Sequence, residues 1–284
     1  MPVDHYENFP VASLLCPPAL RRPVQAIYHF ARTADDLADE GPATPSQRLA
    51  NLAMYRTALH QAATGQVAAG PWEAVFTPLA RALRDHRLPL GLLDDLLTAF
   101  VQDTGNPVYA DRAALLDYCR RSANPIGRLM LHLAGVHDPL SLGQSDAVCS
   151  ALQLINFWQD PSVDLPRGRH YVPDADLMRH GLQRSDLRSG ADSPATQALL
   201  RELCLWAAGL MQQGAPLACR VPGRLGWELR GVVQGGLRIL ERIGQMRYRT
   251  LSQRPSLGGH DLPAMAWRAL RMRAGQATPG FTLP

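Results

Sequence analysis

Apolar residues that recur at threes and fours, with no sustained two-residue alternation, constrain this chain to a helical fold. Leu20, Val24, Ile27, Tyr28, Ala31, Ala34 and Ala38 mark one face of a helix, because residues three and four apart share a side of an α-helix whereas a strand alternates sides. Gly41-Pro42-Ala43-Thr44-Pro45-Ser46 stops that helix. Further helical stretches read at about 47–63, 72–86, 89–103 and 111–135. Ser145-Asp146 reads as the cap of a helix running to about 161, and Asp174 and Ser193 to Thr196 read as later starts. Long apolar-periodic stretches occupy about 195–213 and 222–253. The expected class is all-α, in one domain spanning residues 1–284, with a flexible tail from about Ala274.

Two aspartate pairs ride on this helical pattern. Asp35 and Asp39 lie near the end of the first helix, and Asp160 and Asp164 follow Asn156-Phe157-Trp158-Gln159. Residues four apart lie on one helical face, so each pair can aim two carboxylates at one point. Two unit charges about 5.5 Å apart repel by about 3 kcal/mol at an effective dielectric near 20. Were both pairs to face one cavity, that repulsion would call for cations. Mg²⁺ is the natural candidate, because it binds through one or two carboxylates and completes its octahedron with water and phosphate. Spacing alone does not decide the matter, since a chain with 19 aspartates forms such pairs by chance. Asp94-Asp95, in a Leu-rich stretch without a second acidic partner, reads as a solvated face.

Composition removes several alternatives. The chain contains no lysine, which excludes a P-loop lysine, a Schiff-base enzyme and a protein-kinase site. No GxGxxG follows a strand-like run, so a dinucleotide site has no support. Grip on an anionic substrate therefore falls to Arg, His or backbone N–H. The net charge of +4 is modest and the arginines are dispersed, which argues against a nucleic-acid partner. Loose contact with an anionic membrane stays open. Five cysteines without CxxC spacing suit buried thiols in a reducing compartment. The N-terminus shows no basic region followed by an apolar stretch, so a secretory leader is not expected, and no apolar run approaches the roughly 20 residues of a bilayer span. The expectation is a cytoplasmic protein, at most peripheral at the inner face of a membrane.

Three longer motifs carry a family resemblance. Arg32-Thr33-Ala34-Asp35-Asp36-Leu37-Ala38-Asp39 resembles the first Asp-rich motif of the squalene/phytoene synthases, and Gln153-Leu154-Ile155-Asn156-Phe157-Trp158-Gln159-Asp160-Pro161-Ser162-Val163-Asp164 resembles the second. Arg167-Gly168-Arg169-His170-Tyr171-Val172-Pro173 resembles the family's Gly-Arg-x-Tyr-Leu-Pro. The resemblance extends from His5 to Leu257 and implies an isoprenoid synthase helical bundle around a central apolar cavity. It implies Mg²⁺ held by Asp35, Asp39, Asp160 and Asp164, and diphosphate gripped by Arg32, Gln153, Asn156 and Arg169. His5 and Asn8 precede the first helix and either cap it or touch phosphate. Tyr28, Tyr118 and Tyr248, with Phe9 and Phe157, are candidates to face a carbocation, at about 0.5–2 kcal/mol of cation–π attraction each. Ordinary core packing is the alternative for Phe9 and Phe157.

Within the family, Asp4-His5-Tyr6-Glu7-Asn8-Phe9-Pro10, Tyr118-Cys119-Arg120-Arg121-Ser122-Ala123-Asn124-Pro125 and Asn156-Phe157-Trp158-Gln159-Asp160 resemble a bacterial hopanoid-pathway branch acting on presqualene diphosphate. Asn124 is a catalytic candidate on that match. The resemblance implies conversion of presqualene diphosphate and water to hydroxysqualene and diphosphate, with upstream and downstream pathway enzymes as partners. Head-to-head condensation of two farnesyl diphosphates and a non-catalytic scaffold on the same fold are the alternatives. Relatives that make presqualene diphosphate usually carry Arg where Gln159 stands, and an uncharged residue there suits a site handling one diphosphate. Pro161 is the sharpest departure, since a proline inside a helix costs about 3 kcal/mol. The chain is expected to bend there, leaving Asp164 to reach metal through water, so that Val or Leu at this position would restore the helix and raise stability.

Overall fold

A computed structural model describes residues 16–283. The first four long helices, α1 (Pro18–Asp39), α2 (Pro45–Ala63), α3 (Glu73–His86) and α4 (Leu90–Asp103), enclose one apolar core. Phe30, Tyr55 and Phe76 pack at its centre, with ring centroids 4.8 to 6.2 Å apart. The stop after α1 works as its residues suggest, and α2 opens with a capping box. Thr44 Oγ1 accepts from the Gln47 N–H at 3.3 Å while Gln47 Oε1 accepts from the Thr44 N–H at 2.9 Å.

The chain continues through α5 (Arg112–Ser122), α6 (Asn124–Leu133), α7 (Pro139–Gln159), the single turn α8 (Pro161–Asp164), α9 (Asp174–Arg179) and α10 (Arg184–Arg188). It closes with α11 (Pro194–Gly214), α12 (Leu217–Arg220), α13 (Gly223–Gln245) and α14 (Leu262–Arg271). A second, larger core forms chiefly among α5, α7, α11 and α13, around fully buried Trp158, Leu203 and Leu237. The expected all-α class holds: among the described residues there is no strand, only one isolated bridge between Arg273 and Gln276. No helix among the described residues is long and apolar enough to cross a membrane.

Four boundaries differ from the sequence reading. The stretch expected as one helix over 111–135 is two, broken at Ala123 (φ −122°, ψ −47°), because Pro125 has no N–H to bond the carbonyl four residues back. α7 starts at Pro139 rather than near Ser145, capped by Asp138, whose carboxylate accepts from the Ser141 N–H at 2.9 Å. α13 ends at Gln245, since Arg247 and Tyr248 take left-handed conformations (φ 55° and 58°). The stretch expected as a flexible tail packs instead: Ala277 is buried, and Phe281 and Leu283 lie against the larger core.

Gly127 lets α6 lie close on α7. A Cβ there would sit 2.4 Å from Ser145 Oγ and 2.6 Å from Cys149 Sγ. That approach, with α1 and α4 opposite, frames a cavity between the two cores.

Candidate active site

The cavity encloses about 620 Å³, within the range of about 300–1,000 Å³ typical of small-molecule sites. α1 contributes Tyr28, Arg32, Asp35 and Asp39, and α7 contributes Cys149, Gln153 and Asn156. Both sets follow helical spacing, so each is one stripe of side chains turned the same way. Polarity changes along the stripes. Val24, Ile27 and Ala31 precede the charged end of α1, and Val148 and Leu152 precede the polar end of α7. Leu225, Leu229 and Val232 of α13 extend the apolar part.

The two charged ends meet through Arg169. Its guanidinium is ion-paired with Asp39 from α1 and lies 3.5 Å from Asp164 of α8. Arg32 bonds Asp35 at 3.0 Å and Asp36 at 2.7 Å, while its Nε is buried with no hydrogen-bond partner. Asp103, at the end of α4, accepts from the Tyr118 hydroxyl at 2.9 Å through Oδ2, and its Oδ1 is buried without a partner. Phe157 and Tyr171 stack with centroids 3.7 Å apart, and Tyr118 lies 6.4 Å from Tyr171. An aromatic wall therefore adjoins the charged end.

Crowding of carboxylates in a partly desolvated space raises their proton affinity. Burial lifts Asp35 to about 6 against the pull of Arg32, with Asp39 and Asp36 adding to the rise. Burial lifts Asp103 to about 7 against its hydrogen bond from Tyr118, with Asp35 and Asp39 contributing. Asp164 rises to about 6 by burial, opposed by Arg169. Burial opposes the charge of Arg169, but its bond to Asp39 and the charges of Asp39, Tyr171 and Asp164 together outweigh this and raise its pKa. These sites carry more negative charge than the arginines neutralise. Hard oxygen donors, an orphaned carboxylate oxygen and raised proton affinities fit a divalent cation of the Mg²⁺ type in chemistry. Among the described residues no three His, Cys, Asp or Glu side chains already gather around one point, and Mg²⁺ takes only one or two carboxylates from its protein.

Of the residues singled out in the sequence, Tyr28, Arg32, Asp35, Asp39, Tyr118, Gln153, Asn156, Phe157, Asp164 and Arg169 line this one cavity. Four others do not. Asp160 lies outside the cavity lining and bonds Arg254 at 2.6 and 3.2 Å. The physical reason is the end of α7 at Gln159, since Asp160 (φ −108°, ψ 19°) links two helices and loses the shared face with Asp164. Asp164, expected to be the remoter of the pair, is the one that faces the cavity. Tyr248 packs in the larger core, carried there by the left-handed turn after α13. Asn124 is buried between helices and accepts from the Ser150 hydroxyl at 3.0 Å, joining α6 to α7. Gln159 is fully buried and donates to the Pro255 carbonyl at 2.8 Å. Its lack of charge is therefore a matter of core packing and says nothing about the number of diphosphates handled. His5, Asn8 and Phe9 lie outside the described residues.

Two cavity residues have no role assigned from sequence, although the resemblance puts Asp103 close to the family's active-site region. Asp103 meets Tyr118 only through the packing of α4 on α5, which no local spacing encodes. Tyr171 lies in the Arg167–Pro173 motif, and its position between Arg169 and Pro173 is the sequence signal for it.

Comparison with known proteins agrees with this geometry. The squalene/phytoene synthase family model matches residues 3–261. A hydroxysqualene synthase of Rhodopseudomonas palustris is 35% identical over 243 residues, covering 85% of this chain and 80% of its own. A phytoene synthase of Thermus thermophilus is 31% identical over 260 residues, 89% of this chain and 84% of its own. The crystal structure of squalene synthase HpnC from Alicyclobacillus acidocaldarius superposes with a TM-score of 0.80 at 35% identity, over 87% of this chain and 91% of that one. With Asp35, Asp39 and Asp164 brought to one cavity, these matches establish that the chain belongs to the squalene/phytoene synthase family.

Proposed function

We propose that the protein is a hydroxysqualene synthase, converting presqualene diphosphate and water to hydroxysqualene and diphosphate. The observation that carries this reading is a single cavity, charged where Arg169 joins the two aspartate motifs and apolar beyond. The similarity to the hydroxysqualene synthase of Rhodopseudomonas palustris supports the same branch.

Asp35, Asp39 and Asp164 would hold Mg²⁺, one or two of these carboxylates to each ion. The bound ion supplies positive charge that stabilises the departing diphosphate. Arg32 and Arg169 offer guanidinium forks to phosphate oxygens, and Gln153 and Asn156 offer amide donors. Because Arg32 and Arg169 already face carboxylates, diphosphate binding exchanges those contacts for new ones. The hydrocarbon lies along Ile27, Leu152, Leu229 and their neighbours, at about 0.8 kcal/mol for each CH₂ removed from water. As the C–O bond to diphosphate breaks, the faces of Tyr28, Tyr118, Phe157 and Tyr171 stabilise the allylic and cyclopropylcarbinyl cations. Water then adds through its oxygen, and the proton it loses ends on the released diphosphate.

Incubation of purified protein with presqualene diphosphate and Mg²⁺, followed by product identification, tests the reading. Hydroxysqualene is expected. Efficient use of farnesyl diphosphate with presqualene diphosphate ignored would overturn it in favour of head-to-head condensation.

A further inference from the structure

The outer side of α14, with one neighbour on α13, has a character that neither core nor cavity explains. α14 is held to the protein largely by charge. Asp261, fully buried at its start, bonds Arg238 at 2.6 Å and Arg242 at 2.7 Å, and Arg268 bonds Glu241 at 2.5 Å. Ala269 is buried on the inner side. Leu262, Trp267 and Leu270 are 62%, 61% and 63% exposed, although a surface helix ordinarily turns its large apolar residues inward. With exposed Pro263 and Ala266 they form one continuous face of the helix.

The face continues onto α13. Trp227 is 43% exposed, and the Arg230 guanidinium lies 4.5 Å from its ring centroid. The same Arg230 donates to the Ala269 carbonyl of α14 at 3.0 Å, joining the two helices. Arg271 flanks the other tryptophan, 5.5 Å from the Trp267 centroid. Arg268, Arg271 and Arg273 are the charged residues from Leu262 to the end of the chain, with no acidic side chain among them.

We propose that α14 and Trp227 form a docking face for an anionic phospholipid bilayer. Tryptophan rings settle at the headgroup level, leucines reach the acyl boundary, and arginines meet anionic headgroups. Charge complementarity selects this occupant over a second copy of the chain, since a two-fold contact would set one cationic face against another. The inner side of α13, through Leu225, Leu229 and Val232, forms part of the apolar cavity wall. Docking therefore brings the bilayer to the outside of that wall. α14 also lies beyond residues 3–261, so it is not part of the shared family match.

Vesicle flotation of the full-length protein tests this without requiring turnover, so its failure would leave the proposed reaction untouched. The protein is expected to float with phosphatidylcholine vesicles containing about one-third phosphatidylglycerol, and to be released by salt or by phosphatidylcholine alone. Trp267→Ser with Leu270→Ser should lower the bound fraction about tenfold, with unchanged thermal stability and unchanged turnover in detergent. Arg271→Glu should weaken binding selectively on the anionic vesicles. Absence of wild-type flotation, or equal flotation of the double variant, would overturn the proposal. An oligomer dissolved by the double substitution, with vesicle binding unaltered, would overturn it by assigning the face to a second copy.

Discussion

Asp160 and Asp164 share a motif but face different partners, so the same substitution should act differently at each. Asp164 is buried against the cavity, whereas Asp160 bonds Arg254. Asp35→Asn and Asp164→Asn should each lower turnover by about a hundredfold or more, because a departing diphosphate loses electrostatic support. Asp160→Asn should instead lower stability by about 1–3 kcal/mol, by weakening a charge-assisted pair, and retain more activity than Asp164→Asn. Steady-state rates with melting curves separate the two, and an Asp160→Asn protein as inactive as Asp164→Asn with unchanged melting would return Asp160 to the metal set. A second residue-scale expectation concerns pH. Asp103, at about 7, and Asp35 and Asp164, at about 6, hold protons more tightly in the folded chain than at the ordinary carboxylate value of 3.8. Between those values the folded state binds the extra protons, so metal-free stability should fall as pH rises from about 4 and level off above about 7. Asp103→Asn should flatten that slope and raise metal-free stability near pH 8 by on the order of 1–2 kcal/mol. Urea unfolding at several pH values with chelator present measures it; an unchanged slope would mean that Asp103 is not strained by its surroundings.

At the scale of elements, Pro161 reverses an expectation. It occupies the first position of α8 rather than the interior of α7, where its fixed φ is already suited and its missing N–H would have no intrahelical partner. Pro161→Ala should therefore lower stability by about 0.5–1 kcal/mol, through added freedom in the unfolded chain. A higher unfolding midpoint would show that the break in the helix is strained after all. The same break explains which parts of the site were legible in the sequence. Arg32, Asp35 and Asp39 lie on one uninterrupted helix, where spacing gives direction, and Gln153 and Asn156 lie on another. Asp160 and Tyr248 each sit just past a helix end, where the same arithmetic stops applying. α7 begins earlier than read because Asp138 and Pro139 start it, while Ser145, which resembles a cap, is buried inside the helix. Asp103 depends on how α4 meets α5, a tertiary relation beyond the reach of local pattern.

For the whole molecule, the cavity places unneutralised negative charge between two apolar cores, so the fold and its ligand are linked. Asp35, Asp103 and Asp164 resist ionisation where they stand, and a bound divalent cation would favour their charged forms. Such a cation binds the folded chain in preference to the unfolded one, and stabilises it by about 2.7 kcal/mol at a hundredfold excess over its dissociation constant. Mg²⁺ should therefore raise the melting temperature, and raise it more near pH 8 than near pH 5, where protons already occupy much of the site. Inorganic diphosphate added with Mg²⁺ should raise it further, because Arg32 and Arg169 gain an anion while the ion holds the carboxylates. Diphosphate alone should do little, since it would enter a site still rich in carboxylate. Asp35→Asn should remove most of the Mg²⁺ effect and with it the added effect of diphosphate. Differential scanning calorimetry across these conditions reads binding without requiring catalysis. Equal stabilisation by diphosphate with and without Mg²⁺ would mean that the arginines act alone and that the carboxylates do not hold a metal.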